Sequence, residues 1–336
     1  MKLKLISSAA ILVALLGSCK KDQSSTTSVD GSWRILSGTK PDLRYVIFSG
    51  GEVSQTLIED TSSAAHEVNR QKYRLENNVL LAAIQGSGFY QYSIKTDGDT
   101  MWLTNDPNNS ASTYNFKLLK DNSTPSVVSW VKPITFDRLM NSTAAGPLAI
   151  RSGKLVAAPD NNTITTVNYT TRSVESAITT THDIYSLDNF GVDAVISDYD
   201  KIVRINGATG ATMATSASTG LSNSISAIAY DGLNSIWCYT YSGTGNNLIY
   251  YFDAVSGVFG PTRTCSLYLS DLAMKNSSLY GCDGEYIYKI NPASLKVEQT
   301  YQLPGYSIGG IASDGTDFYL RIYRTGESLY VKTTLN

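Results

Sequence analysis

The sequence predicts an all-β protein built as a small β-barrel followed by a five-bladed β-propeller. Three observations carry that prediction. The 336 residues include 22 Tyr and 26 Gly with only 17% charged side chains, a composition that favours strands and turns. Eight short apolar segments fall between Gly31 and Lys120. From Val131 onward the chain repeats with a period of about 40 residues, the length of a four-stranded propeller blade.

The chain opens with a leader. Met1-Lys2-Leu3-Lys4 is basic and Leu5 to Leu16 is mostly apolar, too short for the roughly 20 residues of a membrane-spanning helix but suited to a secretory signal. Leu16-Gly17-Ser18-Cys19 resembles the lipobox of bacterial lipoproteins. That resemblance implies cleavage after residue 18, acylation of Cys19, and a protein held to a membrane by its lipid, in or on the outer membrane, facing the periplasm or the cell surface. Residues 19–29 are polar and read as a flexible tether.

Residues 30–120 form the expected barrel. Its strands are Trp33 to Leu36, Tyr45 to Phe48, Val53 to Ile58, Lys72 to Leu75, Val79 to Leu81, Tyr90 to Ile94, Met101 to Leu103 and Tyr114 to Leu118. Ser49-Gly50-Gly51, Glu76-Asn77-Asn78 and Asp97-Gly98-Asp99 supply hairpin turns. Gly31-Ser32-Trp33, Tyr45-Val46-Ile47-Phe48 and Tyr114-Asn115-Phe116-Lys117-Leu118 resemble the lipocalin-like domains at the front of many bacterial lipoproteins. A barrel this short is expected to be filled by its own side chains rather than by a ligand.

Residues 121–130 read as a polar linker, and 131–336 as the propeller. The apolar pairs Leu155-Val156, Ala194-Val195, Ile236-Trp237, Leu279-Tyr280 and Phe318-Tyr319 open the second strands, at intervals of 39, 42, 43 and 39 residues. Asn168, Asn206, Asp253 and Asn291 each begin a turn that closes a third strand, where the side chain caps the backbone, Ser or Thr supports it, and Gly210 and Gly257 can turn left-handed into the next strand. The final unit lacks a fourth strand, and 131–136 is the segment expected to complete it. These units resemble propeller repeats of the quinoprotein, NHL and YVTN type, though without the recurrent tryptophan of the quinone enzymes, so no cofactor is expected.

The chemistry is sparser than the architecture. A formal net charge of −2 provides no basic field for nucleic acid. Cys238, Cys265 and Cys282 are either one bridge with a spare thiol or three buried thiols. Asp198-Tyr199-Asp200 begins like a calcium loop, but Ile202, Val203 and Thr209 occupy positions that need ligands or glycine, so no metal site is expected. The loops entering first strands and joining second to third strands hold Asp183, Asp271, Asp198, Asp200, Asp283 and Glu285. Five-bladed propellers include glycoside hydrolases such as arabinanases, whose carboxylates converge near the channel, which makes Asp183 and Asp271 the catalytic alternative for a surface hydrolase or lyase. The same loops carry Tyr199, Tyr241, Tyr268, Tyr306, Tyr323 and His182, whose rings suit a sugar face or a protein partner. The preferred expectation is therefore a non-enzymatic binding or scaffold protein for a glycan or an envelope protein.

Overall fold

The computed structural model describes residues 28–37, 43–58, 64–83, 89–105, 116–121, 126–142, 146–242 and 247–335; the leader, Cys19 and most of the tether lie outside them. The chain is all-β, a closed eight-stranded barrel joined to a five-bladed propeller.

The barrel is a meander of β1 (Gly31–Ser37), β2 (Leu43–Ser49), β3 (Glu52–Ile58), β4 (Ala64–Glu76), β5 (Val79–Ala83), β6 (Phe89–Asp97), β7 (Thr100–Asn105) and β8 (Phe116–Lys120). Each strand pairs antiparallel with the next, and β8 returns to β1, so no edge is left within the ring. Asn77 and Asn78, at φ 49° and 63°, make the two-residue turn whose twist matches that of its strands. Trp33, Phe48, Met101 and Leu118 meet inside in one buried cluster, as expected of a barrel filled by its own side chains.

β4 is much longer than its apolar part. The sequence places a strand at Lys72 to Leu75, whereas the strand begins at Ala64. Its polar first half pairs with β3 and, in parallel, with β9 (Ser126–Ser129), a strand lying within the expected linker. This half also faces the propeller. Glu67, fully buried, accepts from Arg70 Nε at 2.9 Å and from Val131 N at 2.7 Å. The Tyr286 hydroxyl lies 2.8 Å from Asn69 Oδ1 and 2.9 Å from Arg70 O, and Val68 joins the core between two blades.

Two short strands, β10 (Lys132–Pro133) and β11 (Asp137–Asn141), precede the blades. Blade 1 is β12 (Leu148–Arg151), β13 (Lys154–Ala157), β14 (Thr163–Asn168) and β15 (Ser173–Thr179). Blade 2 is β16 (Ser186–Phe190), β17 (Asp193–Asp198), β18 (Lys201–Ile205) and β19 (Thr212–Thr215). Blade 3 is β20 (Ile225–Tyr230), β21 (Ser235–Thr240) and β22 (Asn247–Asp253), with β23 (Val258–Phe259) and β24 (Arg263–Cys265) sharing its outer edge. Blade 4 is β25 (Asp271–Lys275), β26 (Ser278–Asp283), β27 (Tyr286–Ile290) and β28 (Val297–Gln302). Blade 5 is β29 (Ser307–Ser313), β30 (Phe318–Arg324) and β31 (Glu327–Thr333).

The closing strand corrects the sequence reading. β11 pairs antiparallel with β31 and completes blade 5, so residues 137–141 do what was expected of 131–136. Within 131–136, Pro133 cannot donate to a ladder, and only Lys132 and Pro133 pair, parallel to β28 of blade 4. Ile134 and Phe136 pack instead into the core between blades 4 and 5. The true closing strand, Asp-Arg-Leu-Met-Asn, reads as polar because an outermost strand is half solvated.

Period-two alternation explains how the blades cohere. In β17, Ala194 and Ile196 face blade 1 while Val195 faces blade 3. Strands buried on both faces therefore read as continuous apolar runs. One such core fills each of the five gaps between neighbouring blades. Cys238, Cys265 and Cys282 form no disulfide with one another and are buried in these cores, which selects the buried-thiol alternative.

Candidate functional site

In each blade the first strand lines the axis, so the crossover into it and the turn from second to third strand emerge on one end of the ring. The antiparallel registers place all five sequence-selected tyrosines there. Tyr199 lies in the β17–β18 turn, Tyr241 just after β21, Tyr268 and Tyr306 in crossovers, and Tyr323 near the end of β30.

They are not equivalent. Tyr241 and Tyr268, 40% and 45% exposed, set their rings 4.7 Å apart with their hydroxyls hydrogen-bonded. Tyr199 pairs edge-on with Tyr185, which the sequence reading missed, at 6.3 Å, and donates its hydroxyl to Ser222 O at 3.1 Å. Tyr185 and Tyr199 are 44% and 49% exposed. Tyr306 is only half-exposed: its hydroxyl donates to Glu327 Oε2 at 3.0 Å and its ring packs edge-on against Phe136. Tyr323, 43% exposed, lies beside the Arg321 guanidinium. The face thus carries two exposed, braced tyrosine pairs.

His182 has a different job. Its Nδ1 lies 2.7 Å from Asp198 Oδ2 and its Nε2 2.9 Å from Thr212 Oγ1, so it pins the crossover from blade 1 onto blade 2. Asp200 accepts from Ser218, and Glu285 accepts from Gln302 Nε2 at 3.0 Å and Gly305 N at 3.2 Å. Asp160, in the corresponding turn of blade 1, caps Asn162 N and Thr163 N. These loop acids hold their loops in shape.

The two catalytic alternatives end in unlike surroundings. Asp183 stays exposed in the crossover. Asp271, 1% exposed, starts the innermost strand of blade 4 and is sealed from solvent. Its Oδ2 accepts from Ile311 N of blade 5 at 3.0 Å and Leu148 N of blade 1 at 3.4 Å, and its Oδ1 from Leu272 N at 3.0 Å. Gly310 makes this possible, because a Cβ there would press on Leu148 Cβ at 3.1 Å. Burial pushes the Asp271 carboxyl up to about 8, and a like charge on Asp188 adds to the shift. Asp188, which sequence reasoning passed over, accepts from Tyr230 N of blade 3 at 2.7 Å, and burial raises it to about 6. Both acids satisfy N–H groups on the inner edge of a neighbouring blade, groups with no ladder partner of their own. They are ties between blades.

No family model matches the chain, and no curated protein matches it. Solved structures do. The WD40 domain of Neurospora crassa Pan2 is similar with a TM-score of 0.36 and 9% identity, over 91% of this chain and 90% of that one. Glutaminyl cyclase of Myxococcus xanthus has a TM-score of 0.46 and 10% identity, over 61% of this chain and 100% of that one. A chain of a mitotic checkpoint complex has a TM-score of 0.39 and 9% identity, over 87% and 84%. At such identity and TM-scores no activity follows from them. A propeller is a fold suited to a binding or scaffold module.

Proposed function

We propose that this chain is a lipid-anchored lipoprotein of the outer membrane whose propeller binds a glycan through the tyrosine-lined end of the ring. The observation that carries the reading is the two exposed ring pairs, Tyr241 with Tyr268 and Tyr185 with Tyr199. An aromatic face held in position, here by hydroxyl bonds within the pair or to the backbone, stacks on a sugar ring at little entropic cost. The anchor rests on Leu16-Gly17-Ser18-Cys19 and the leader before it.

The purified protein, screened against neutral and acidic oligosaccharides by calorimetry, is expected to bind at least one. Tyr241→Ala and Tyr268→Ala are each expected to weaken that binding tenfold or more, about 1.4 kcal/mol. Binding indifferent to both, and to Tyr199→Ala, would overturn the reading. An envelope protein captured on the same face with the same sensitivity would replace the glycan with a protein partner. Metabolic labelling with a fatty-acid analogue tests the anchor: the label is expected on the native chain and lost in Cys19→Ala.

A further inference from the structure

The outer corner of blade 5 holds a second feature on the same end of the ring. Arg138, from the closing strand β11, and Arg324, from the end of β30, converge on one carboxylate, Glu327. Arg324 Nε lies 2.8 Å from Glu327 Oε2, and Arg138 Nη1 3.5 Å from Oε1. The arrangement is braced from beneath. The Arg324 guanidinium sits 4.5 Å over the Tyr306 ring, whose hydroxyl donates to the same Glu327, and Arg138 Nη2 donates to Asn141 Oδ1 at 2.6 Å. The Tyr306 hydroxyl and the two cations hold the Glu327 carboxyl below its ordinary range, so it stays ionised.

Two guanidinium groups against one carboxylate leave a net positive charge. Arg324 engages Glu327 through Nε, which leaves both Nη groups without an acceptor among the described residues. A cleft of 530 Å³ opens beside them, its remaining wall supplied by Ser142, Thr325, Gly326 and Ser328. That is room for one or two sugar residues. A third guanidinium lies on the other side of the same strand. Arg321 is 8% exposed and donates Nη2 to Gly309 O at 2.8 Å, its Nε has no partner, and no carboxylate pairs with it among the described residues. Arg138 and Arg324 against the single acid Glu327 make this corner an electropositive spot on a chain whose net charge is −2, and the buried Arg321 adds a further positive charge to the same strand.

We propose that this cleft binds the oxyanion of an acidic glycan, a uronate carboxylate or a sulfate ester, on the outward Nη groups of Arg324 with the Arg138 charge beside it. A guanidinium fork matches the geometry of such a group and holds it bidentately. The inference rests on the glycan reading above and adds charge selection to it. Arg138 and Arg324 supply a charge-selecting subsite at the outer corner of blade 5, and the tyrosine pairs lie on blades 2 to 4.

Calorimetric titration of the purified protein with digalacturonate, sulfated galactobiose, neutral galactobiose and inorganic sulfate tests this. At least one acidic disaccharide is expected to bind tenfold or more tightly than the neutral one, and to weaken steeply with added salt. Arg324→Gln and Arg138→Gln are each expected to remove that preference. Both side chains are more than half exposed, so folding is expected to survive, checked by an unchanged thermal midpoint. The better of the two acidic ligands identifies the source of the oxyanion, and competition by inorganic sulfate supports the same site. Equal binding of acidic and neutral ligands, or a preference that persists in the Arg138→Gln/Arg324→Gln double variant, overturns the proposal. Loss of neutral-glycan binding in Tyr241→Ala is read separately, so the two readings fail independently.

Discussion

The barrel and the propeller are both closed rings, but they close by different means. In the barrel a hydrogen-bonded ladder runs through every junction, β8 to β1 included. In the propeller, ladders run within blades, and the gaps between them are bridged by apolar cores and by single side chains. A backbone ladder is a property of almost any β sequence, whereas a side-chain tie belongs to one residue. The propeller is therefore the domain where point substitutions do most harm, above all at the seam between blades 5 and 1, whose core has the fewest buried residues among those described.

Asp271 is the sharpest test of that contrast. Asp271→Ala leaves the inner-edge N–H groups of Leu148 and Ile311 without their acceptor, each worth ~1–3 kcal/mol when buried. A loss of about 3 kcal/mol or more is expected in denaturant unfolding, confined to the propeller transition if the domains separate. The native carboxyl also makes stability depend on pH. Its folded pKa of about 8 lies above the unfolded value near 3.8, so the folded state keeps a proton that the unfolded state has released. Stability is then highest below about pH 4 and falls as pH rises through about 8, by up to ~1.4 kcal/mol per unit for this group. Asp188 adds a slope of the same sign up to about pH 6. Asp271→Asn is expected to remove the slope between pH 6 and 8; an unchanged slope there would assign it to other groups.

Gly210 and Gly257 end equivalent turns in blades 2 and 3, at φ 76° and 73°. They differ in what surrounds them. A Cβ on Gly210 would run into Thr179 O of blade 1, whereas a Cβ on Gly257 meets nothing within 4 Å. Gly257→Ala is expected to cost only the left-handed backbone strain, ~1 kcal/mol, and Gly210→Ala clearly more, because it must also move a neighbouring blade. Equal losses would mean that the gaps between blades give way easily, contrary to the comparison.

The junction between the two rings has an intermediate character. Tyr286→Phe removes the hydroxyl that reaches Asn69 and Arg70 while keeping the ring in the core between blades 3 and 4. A loss of ~1 kcal/mol is expected. The barrel is expected to unfold independently of the propeller more readily in this variant, seen as a broadened or split melting curve.

These contrasts also show what the sequence could and could not reveal. The blades were legible because each central strand is buried on both faces, which writes apolar pairs at a steady interval. The capping turns were legible because Asn168, Asn206, Asp253 and Asn291 all accept from the backbone N–H groups two and three residues on. The first half of β4 was not, since Glu67, Asn69 and Arg70 look like loop residues until the propeller is set against them. Arg138 and Arg324 could not be joined either. They meet only because β11 closes the ring, and that strand is polar while the neighbouring 131–136 carries the apolar signal. Asp188 left a fainter signal, a lone acid facing inward in the strand Ser186–Phe190.

The smallest effect concerns the same turns. In blades 1 and 4 the position held elsewhere by Gly210 and Gly257 belongs to Arg172 and Leu295, yet both stay left-handed at φ 58°. The Asx cap, bonded as in the other two copies, holds a side chain where the backbone prefers none. Leu295 is compensated by packing against the core between blades 3 and 4. Arg172 is exposed and lacks that compensation. Arg172→Gly is therefore expected to stabilise the propeller, by about 0.5–1 kcal/mol after the added flexibility of the unfolded chain is set against the strain relieved. Leu295→Gly is expected to destabilise it, because the lost packing outweighs the same relief. A loss of stability in Arg172→Gly would show that the repeat tolerates a side chain at this position without strain, and that the Asx cap alone fixes the turn.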